Sequence, residues 1–124
     1  MYVLDTNAII YYTDDESAAV ATLEPLFSEA HPIYISTLTE IELFSYASMT
    51  EEEEIRLEAF LEAVQILPLT SQIARIAGAL RRLHPSLKAF DSGIAATALF
   101  THSTLITRNI RDFQDIDGLS LMAI

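Results

Sequence analysis

A three-layer α/β/α domain, with a central and mostly parallel sheet of four or five strands, is the fold class that the sequence predicts. Three observations predict it. Short apolar runs recur at Tyr2–Leu4, Ile33–Ser36, Ile66–Leu69 and Thr104–Thr107, as buried parallel strands require. Longer stretches with apolar residues at helical spacing separate them, which gives the β–α alternation of a sheet covered on both faces. The chain has 124 residues and no linker, repeat or low-complexity tract, enough for one core and not for two. Residues 1–124 are therefore expected to form a single domain.

Tyr2-Val3-Leu4 stops at the polar triplet Asp5-Thr6-Asn7 and reads as a buried strand ending in a turn. Ala8–Tyr12 suffices for one helical turn. Val20, Leu23 and Phe27 give Ser17–Ala30 a helical face, which Pro25 should kink or break. Ile33–Ser36 follows Pro32 as the second strand. Thr39, with Glu42 three residues on, is a capping-box signal and predicts a helix over Thr39–Ser48. Another helix is expected over Thr50–Val64. Pro68 marks Ile66–Leu69 as an edge strand or strand end. Ile73, Ile76, Ala77, Leu80 and Leu83 stripe a helix over Ser71–His84, and small residues fill a closely packing one over Ser92–Thr101. Thr104–Thr107 is the fourth strand, and Leu119–Leu121 is a candidate fifth.

Seven Lys and Arg residues face eighteen Asp and Glu, a net charge of −11. A protein that held nucleic acid by counterion release alone would show the opposite balance. Either nucleic acid is not the ligand or a divalent cation supplies the missing positive charge. Cysteine is absent, which excludes disulfides, thiolate zinc sites and a cysteine nucleophile. No apolar run approaches the roughly 18–20 residues of a membrane span, and Met1–Asp5 lacks signal-peptide features. The expected compartment is the cytoplasm. Glu51–Glu54 reads as first-turn charge behind a Thr50 cap, and His31, His84 and His102 lack metal-ligand spacing. Tyr11, Tyr12, Phe27 and Phe44 are assigned to core packing.

In open parallel sheets, ligands bind beyond the carboxyl ends of the strands. Asp5 ends the first strand, Glu42 lies early in the helix after the second, and Asp91 opens the small-residue helix. Asn109 and Asp112 follow the fourth strand. Any one of them could serve as a cap or turn residue. Four acids at one sheet edge exceed what capping requires, and uncompensated they would raise one another's pKa. A hard cation removes that cost, and an oxygen-only set points to Mg²⁺ or Mn²⁺ rather than zinc.

These residues carry a family resemblance. Val3-Leu4-Asp5-Thr6-Asn7 resembles the opening motif of PIN domains, and Ile35-Ser36-Thr37-Leu38-Thr39-Glu40-Ile41-Glu42-Leu43 resembles the second motif of their VapC-type toxin branch. The stretch from Phe90 to Ala98 is similar to the third motif, and that from Leu105 to Phe113 to the fourth. All four occur in order over nearly the whole chain. The resemblance implies a metal-dependent endoribonuclease, usually the toxin of a type II toxin–antitoxin pair. It implies that Asp5, Glu42 and Asp91 are catalytic metal ligands. Asn109 stands where some relatives carry aspartate, so Asp112 is taken as the fourth acid and Asn109 as a neighbour acting from behind it or through water. Ser45 stands where a small residue, often glycine, follows the second motif. Glu40 and Glu42 point to nearly opposite sides of a helix, while Thr39, Glu42 and Tyr46 share one, so Glu42 is chosen and Glu40 is expected in solvent. Thr6, Asn7 and Thr107 are expected to support the ligands; the hydroxyls of Thr6 and Thr107 either orient Asp5 or the attacking water or serve as plain turn residues.

The expected reaction is hydrolysis of an RNA phosphodiester with Mg²⁺ or Mn²⁺, leaving 5′-phosphate and 3′-hydroxyl ends. Arg108 and Arg111 flank the fourth motif and are expected to touch phosphates on either side of the scissile bond. The competing reading for such residues is pairing with surface acids. Two to four phosphate contacts would give a log K versus log salt slope of roughly −1.5 to −3. An RNA substrate, an antitoxin presenting a basic side chain to the acidic pocket, and a second copy of the chain are the expected partners; no membrane is. Two rival readings compete with this one. A haloacid-dehalogenase-type phosphatase would need an acid where Asn7 stands, and Lys88 is the only lysine available to it. A catalytically inactive PIN-like RNA- or protein-binding module would be free to lose the acids.

Overall fold

A computed structural model describes residues 1–124. The short apolar runs form five strands: β1 (Tyr2–Leu4), β2 (Ile33–Ser36), β3 (Gln65–Leu67), β4 (Thr104–Thr107) and β5 (Ser120–Ala123). Seven helices accompany them: α1 (Thr6–Thr13), α2 (Ser17–Ser28), α3 (Thr37–Leu43), α4 (Glu51–Glu62), α5 (Ser71–Leu83), α6 (Ala89–Phe100) and α7 (Ile110–Phe113). The sheet order is β3-β2-β1-β4-β5, and every pairing is parallel.

Successive strand side chains point to opposite faces, so each central strand feeds two cores. Val3 and Leu105 pack with Ile73, Leu80, Ile94 and Phe113 on one side of the sheet. Leu4 and Ile106 pack with Ile9, Leu23, Phe60 and Leu61 on the other. Helices α5 and α6 cover the first face, and α1, α2 and α4 the second, which makes three layers. Strand order reverses between β1 and β4, so Asp5 and Thr107 leave the sheet side by side at the switch point.

Several local expectations need correction. Asp5 caps α1 by accepting from the Thr6 backbone N–H at 2.8 Å, so this helix starts directly after β1 and runs for 8 residues. Pro25 does not interrupt α2. The carbonyl it leaves unpaired belongs to Ala21, which is exposed and open to water. The cap of α3 is Ser36, whose hydroxyl accepts from the Leu38 N–H at 3.1 Å, and the helix ends at Leu43. Thr39 thus lies inside α3, buried, with a hydroxyl that finds no partner. Tyr46 falls outside the helix and is 56% exposed. Phe44 is also exposed rather than packed, whereas Tyr12, Phe27 and Phe60 form an aromatic cluster. Strand β3 ends at Leu67, immediately before Pro68.

Helix α6 begins at Ala89, three residues earlier than expected, so Asp91 sits within its first turn instead of capping it. Gly93 lets α6 press against α3: a Cβ there would run into the Leu38 side chain. Helix α7, which no pattern in the sequence predicts, packs Phe113 into the core on the Val3 face of the sheet. No helix is long and apolar enough to cross a membrane.

Candidate active site

Asp5 is only 6% exposed, and both of its carboxylate oxygens are held. Oδ1 accepts from the Thr6 N–H and Oδ2 from the Thr107 hydroxyl, each at 2.8 Å. Thr107 in turn accepts from the Asn109 N–H at 3.0 Å. The Thr6 hydroxyl donates to Glu42 Oε1 at 2.7 Å, across to α3. One chain of hydrogen bonds thus runs from Glu42 through Thr6, Asp5 and Thr107 to Asn109, tying α3, α1, β1 and β4 together. The hydroxyl of Thr6 serves Glu42; only its backbone serves Asp5.

Asp91 and Asp112 complete the cluster electrostatically. Asp91 is pushed up to about 6 by burial and then by the charges of Asp5 and Asp112, with Lys88 opposing and Glu42 adding. Burial also holds Asp5 above the usual carboxylate range, against the bonds from Thr107 and Thr6, while Glu42 and Asp112 push the same way as burial. Four acids from four segments therefore feel one another. Asp112 is exposed on α7 and lines a cleft with Asp91; Asn109 is exposed and is not part of that lining. Glu40 is half-buried instead of fully in solvent.

The donor set suits a hard divalent cation in kind, since every candidate is a carboxylate oxygen. It is not closed in geometry: no three acidic or histidine side chains are drawn together tightly enough to enclose an ion. Like-charged carboxylates have no reason to converge without a cation between them.

The two arginines of the fourth motif part company. Arg108 is committed elsewhere: its guanidinium pairs with Glu16, donates from Nε to the Ile124 carbonyl at 3.0 Å and stacks 3.7 Å from the Tyr11 ring centre. Its backbone N–H donates to Asn7 Oδ1 at 3.2 Å, so Asn7 braces the β4 exit against α1 and supports no acid directly. The expectation that Arg108 reads phosphates is corrected on these grounds, since the half-buried Glu16 carboxylate already occupies its fork. Arg111 is exposed and lines the cleft beside Asp91 and Asp112. Lys88, the residue before α6 and three positions before Asp91, lines it too.

Fold and site together define an open α/β protein with an acidic centre at the carboxyl edge of its switch point. The PIN domain model matches residues 2–119, and the chain belongs to the PIN domain family. It is 36% identical over 117 residues to "Ribonuclease VapC19" of Mycobacterium tuberculosis, covering 91% of this chain and 92% of the relative. It is 30% identical over 126 residues to "Ribonuclease VapC1" of Haemophilus influenzae, covering 96% and 94%. Among solved structures, VapBC2 from Rickettsia felis bound to a promoter DNA fragment superposes with a TM-score of 0.87 at 27% identity, over 99% of this chain and 98% of that one. A toxin–antitoxin complex from Klebsiella pneumoniae superposes with a TM-score of 0.79 at 32% identity, covering 96% and 95%.

Proposed function

We propose that the protein is an endoribonuclease that hydrolyses RNA phosphodiester bonds with Mg²⁺ or Mn²⁺, and that it acts as the toxin of a toxin–antitoxin pair. One observation supports the chemistry: Asp5, Glu42, Asp91 and Asp112 come from separate elements near the sheet's switch point and are close enough that Asp91, which burial already pushes up, is raised further by the charges of the other three, to about 6. Such a cluster is costly unless a cation offsets it. The ribonuclease names of the relatives agree with the substrate class.

Asp5, Glu42, Asp91 and Asp112 would hold the ion. A bound divalent cation supplies charge neutralisation at the scissile phosphate and activation of water near neutral pH. The chain's own groups do the positioning. Thr107 fixes Asp5 Oδ2 and leaves that oxygen's remaining lone pair free, while Thr6 fixes Glu42 Oε1 and leaves its other oxygen open. Asp91 ionises fully once a cation cancels its neighbours' charge, so loading near pH 6 releases protons. No histidine pair is needed, because the 2′-hydroxyl is not the nucleophile.

The test uses single-stranded RNA with Mn²⁺. Wild type should cleave to 5′-phosphate and 3′-hydroxyl ends; Asp5→Asn, Glu42→Gln and Asp91→Asn should each lose cleavage while keeping the circular dichroism of the fold. Full activity in Asp5→Asn would remove the site assignment.

Two partners follow from the same reading. The relatives' solved complexes pair toxin with antitoxin, and the acidic cluster here suits a basic antitoxin side chain, an arginine, occupying the cation's place. The chain also forms a homodimer, checked by light scattering at micromolar concentration; a monomer contradicts it.

A further inference from the structure

Between the end of α5, the start of α6 and α7 lies a cleft of about 180 Å³ next to the acidic cluster. Asp91 and Asp112 line it together with Lys88, Arg111, His84 and Asp115, among others. No side chain of Lys88 or Arg111 enters an ion pair, although the chain carries eighteen acids against seven bases; the ion pairs that do form are Arg108–Glu16 and His31–Glu29. Only Arg108 among the seven Lys and Arg residues is ion-paired; what sets Lys88 and Arg111 apart is that both line one polar cleft beside Asp91 and Asp112. The lining contains no Phe, Tyr or Trp ring, and its side chains are mostly charged or polar, as a phosphate requires and a stacking platform does not.

We propose that this cleft is a phosphate subsite, in which Lys88 and Arg111 hold an RNA backbone phosphate neighbouring the scissile one, and that it attracts phosphate only after the acids carry a divalent cation. This rests on the nuclease reading above. Without an ion, Asp91, Asp112 and Asp115 outweigh the two fixed cations and an incoming phosphate is repelled. With Asp91 and Asp112 neutralised, Lys88 and Arg111 prevail over Asp115 alone. Cation and RNA therefore bind in a coupled order, and contact to phosphate rather than base makes this subsite indifferent to sequence.

The same charges act in opposite directions on the two ligands. Removing Lys88 or Arg111 deepens the negative potential at the acids, so it tightens Mn²⁺; it also removes a phosphate contact, so it loosens RNA. A merely structural lesion loosens both. The experiment takes a short single-stranded oligoribonucleotide and the Ca²⁺-loaded protein, since calcium's looser geometry supports little turnover. Wild type, Lys88→Gln, Arg111→Gln and the double variant are compared in a salt series, with the exposed Arg75→Gln as control and Mn²⁺ affinity measured in parallel. Each cleft variant should weaken RNA binding severalfold, lower the salt slope by about 0.7 and leave Mn²⁺ affinity equal or tighter. In EDTA, wild type and the double variant should bind equally poorly. If wild type cleaves RNA and the double variant binds it with unchanged affinity and slope, the subsite is wrong and the nuclease reading stands. If wild type does not cleave RNA with Mn²⁺, both fall.

Discussion

Thr107 sits at the end of β4, fully buried, with its hydroxyl between two functions: it donates to Asp5 and accepts from the backbone of Asn109. The loop that carries Asn109 and Asp112 is thereby set against the carboxylate of β1. Thr107→Val keeps the shape and the strand preference but deletes the donor. Asp5 then loses the strongest contact opposing the effect of its burial, and its ionised form becomes harder to hold. We expect Mn²⁺ affinity to fall about 10- to 100-fold, the usual range for such supporting contacts, with cleavage falling in step. Isothermal titration and a cleavage assay on the same preparation check this; an unchanged affinity would reduce Thr107 to a turn residue.

Helix starts help decide which acids reach the site, and three of them show how far a cap is written in the local sequence. Thr50 caps α4 as its spacing to Glu53 suggests, with the Glu53 N–H donating to it at 3.1 Å; Thr70 caps α5 in the same way, accepting from the Ile73 N–H at 3.2 Å, without such a signal. Thr39 and Glu42 have the same capping spacing yet do no capping, because Ser36, the last residue of β2, already starts the helix. A strand residue that doubles as a cap leaves no periodic signal. Helix α7 is invisible for a simpler reason: its 4 residues are too few to establish a helical period. The neighbourhood of Asp5, Glu42 and Asp112 follows from their places just after β1, β2 and β4, whereas that of Asp91 depends on how α6 packs and has no such local signal. The fate of Arg108 is no more legible, because Glu16 lies far away in sequence and only the fold brings it close.

The α3–α6 contact gives a prediction at this scale. Gly93→Ala gains up to ~1 kcal/mol of helix propensity but drives a methyl group into Leu38, and overpacking costs about 1–3 kcal/mol. Urea denaturation should show net destabilisation. Adding Leu38→Ala should recover part of it, so the two substitutions couple; strict additivity contradicts the contact.

For the whole molecule, stability should depend on pH through the acidic cluster. The carboxyl of Asp91 is raised from 3.8 to about 6 in the fold, and Asp5 is raised too. The folded chain therefore holds more protons than the unfolded one in that window, and stability falls as pH rises through it. In EDTA the melting temperature should drop from about pH 5 to about pH 7. Asp91→Asn removes one source of the slope and should flatten it and raise the ion-free melting temperature near neutrality. Saturating Mn²⁺ should restore wild type. Equal slopes for wild type and Asp91→Asn would show that Asp91 does not feel the cluster.

The central claim is that these four carboxylates form one cation-dependent centre for cleaving RNA. Its most direct measurement is cleavage of end-labelled single-stranded RNA by the purified chain in excess EDTA, followed by Mn²⁺ added beyond the chelator. The account predicts no cleavage in EDTA and full recovery with Mn²⁺. Undiminished cleavage in EDTA would contradict it.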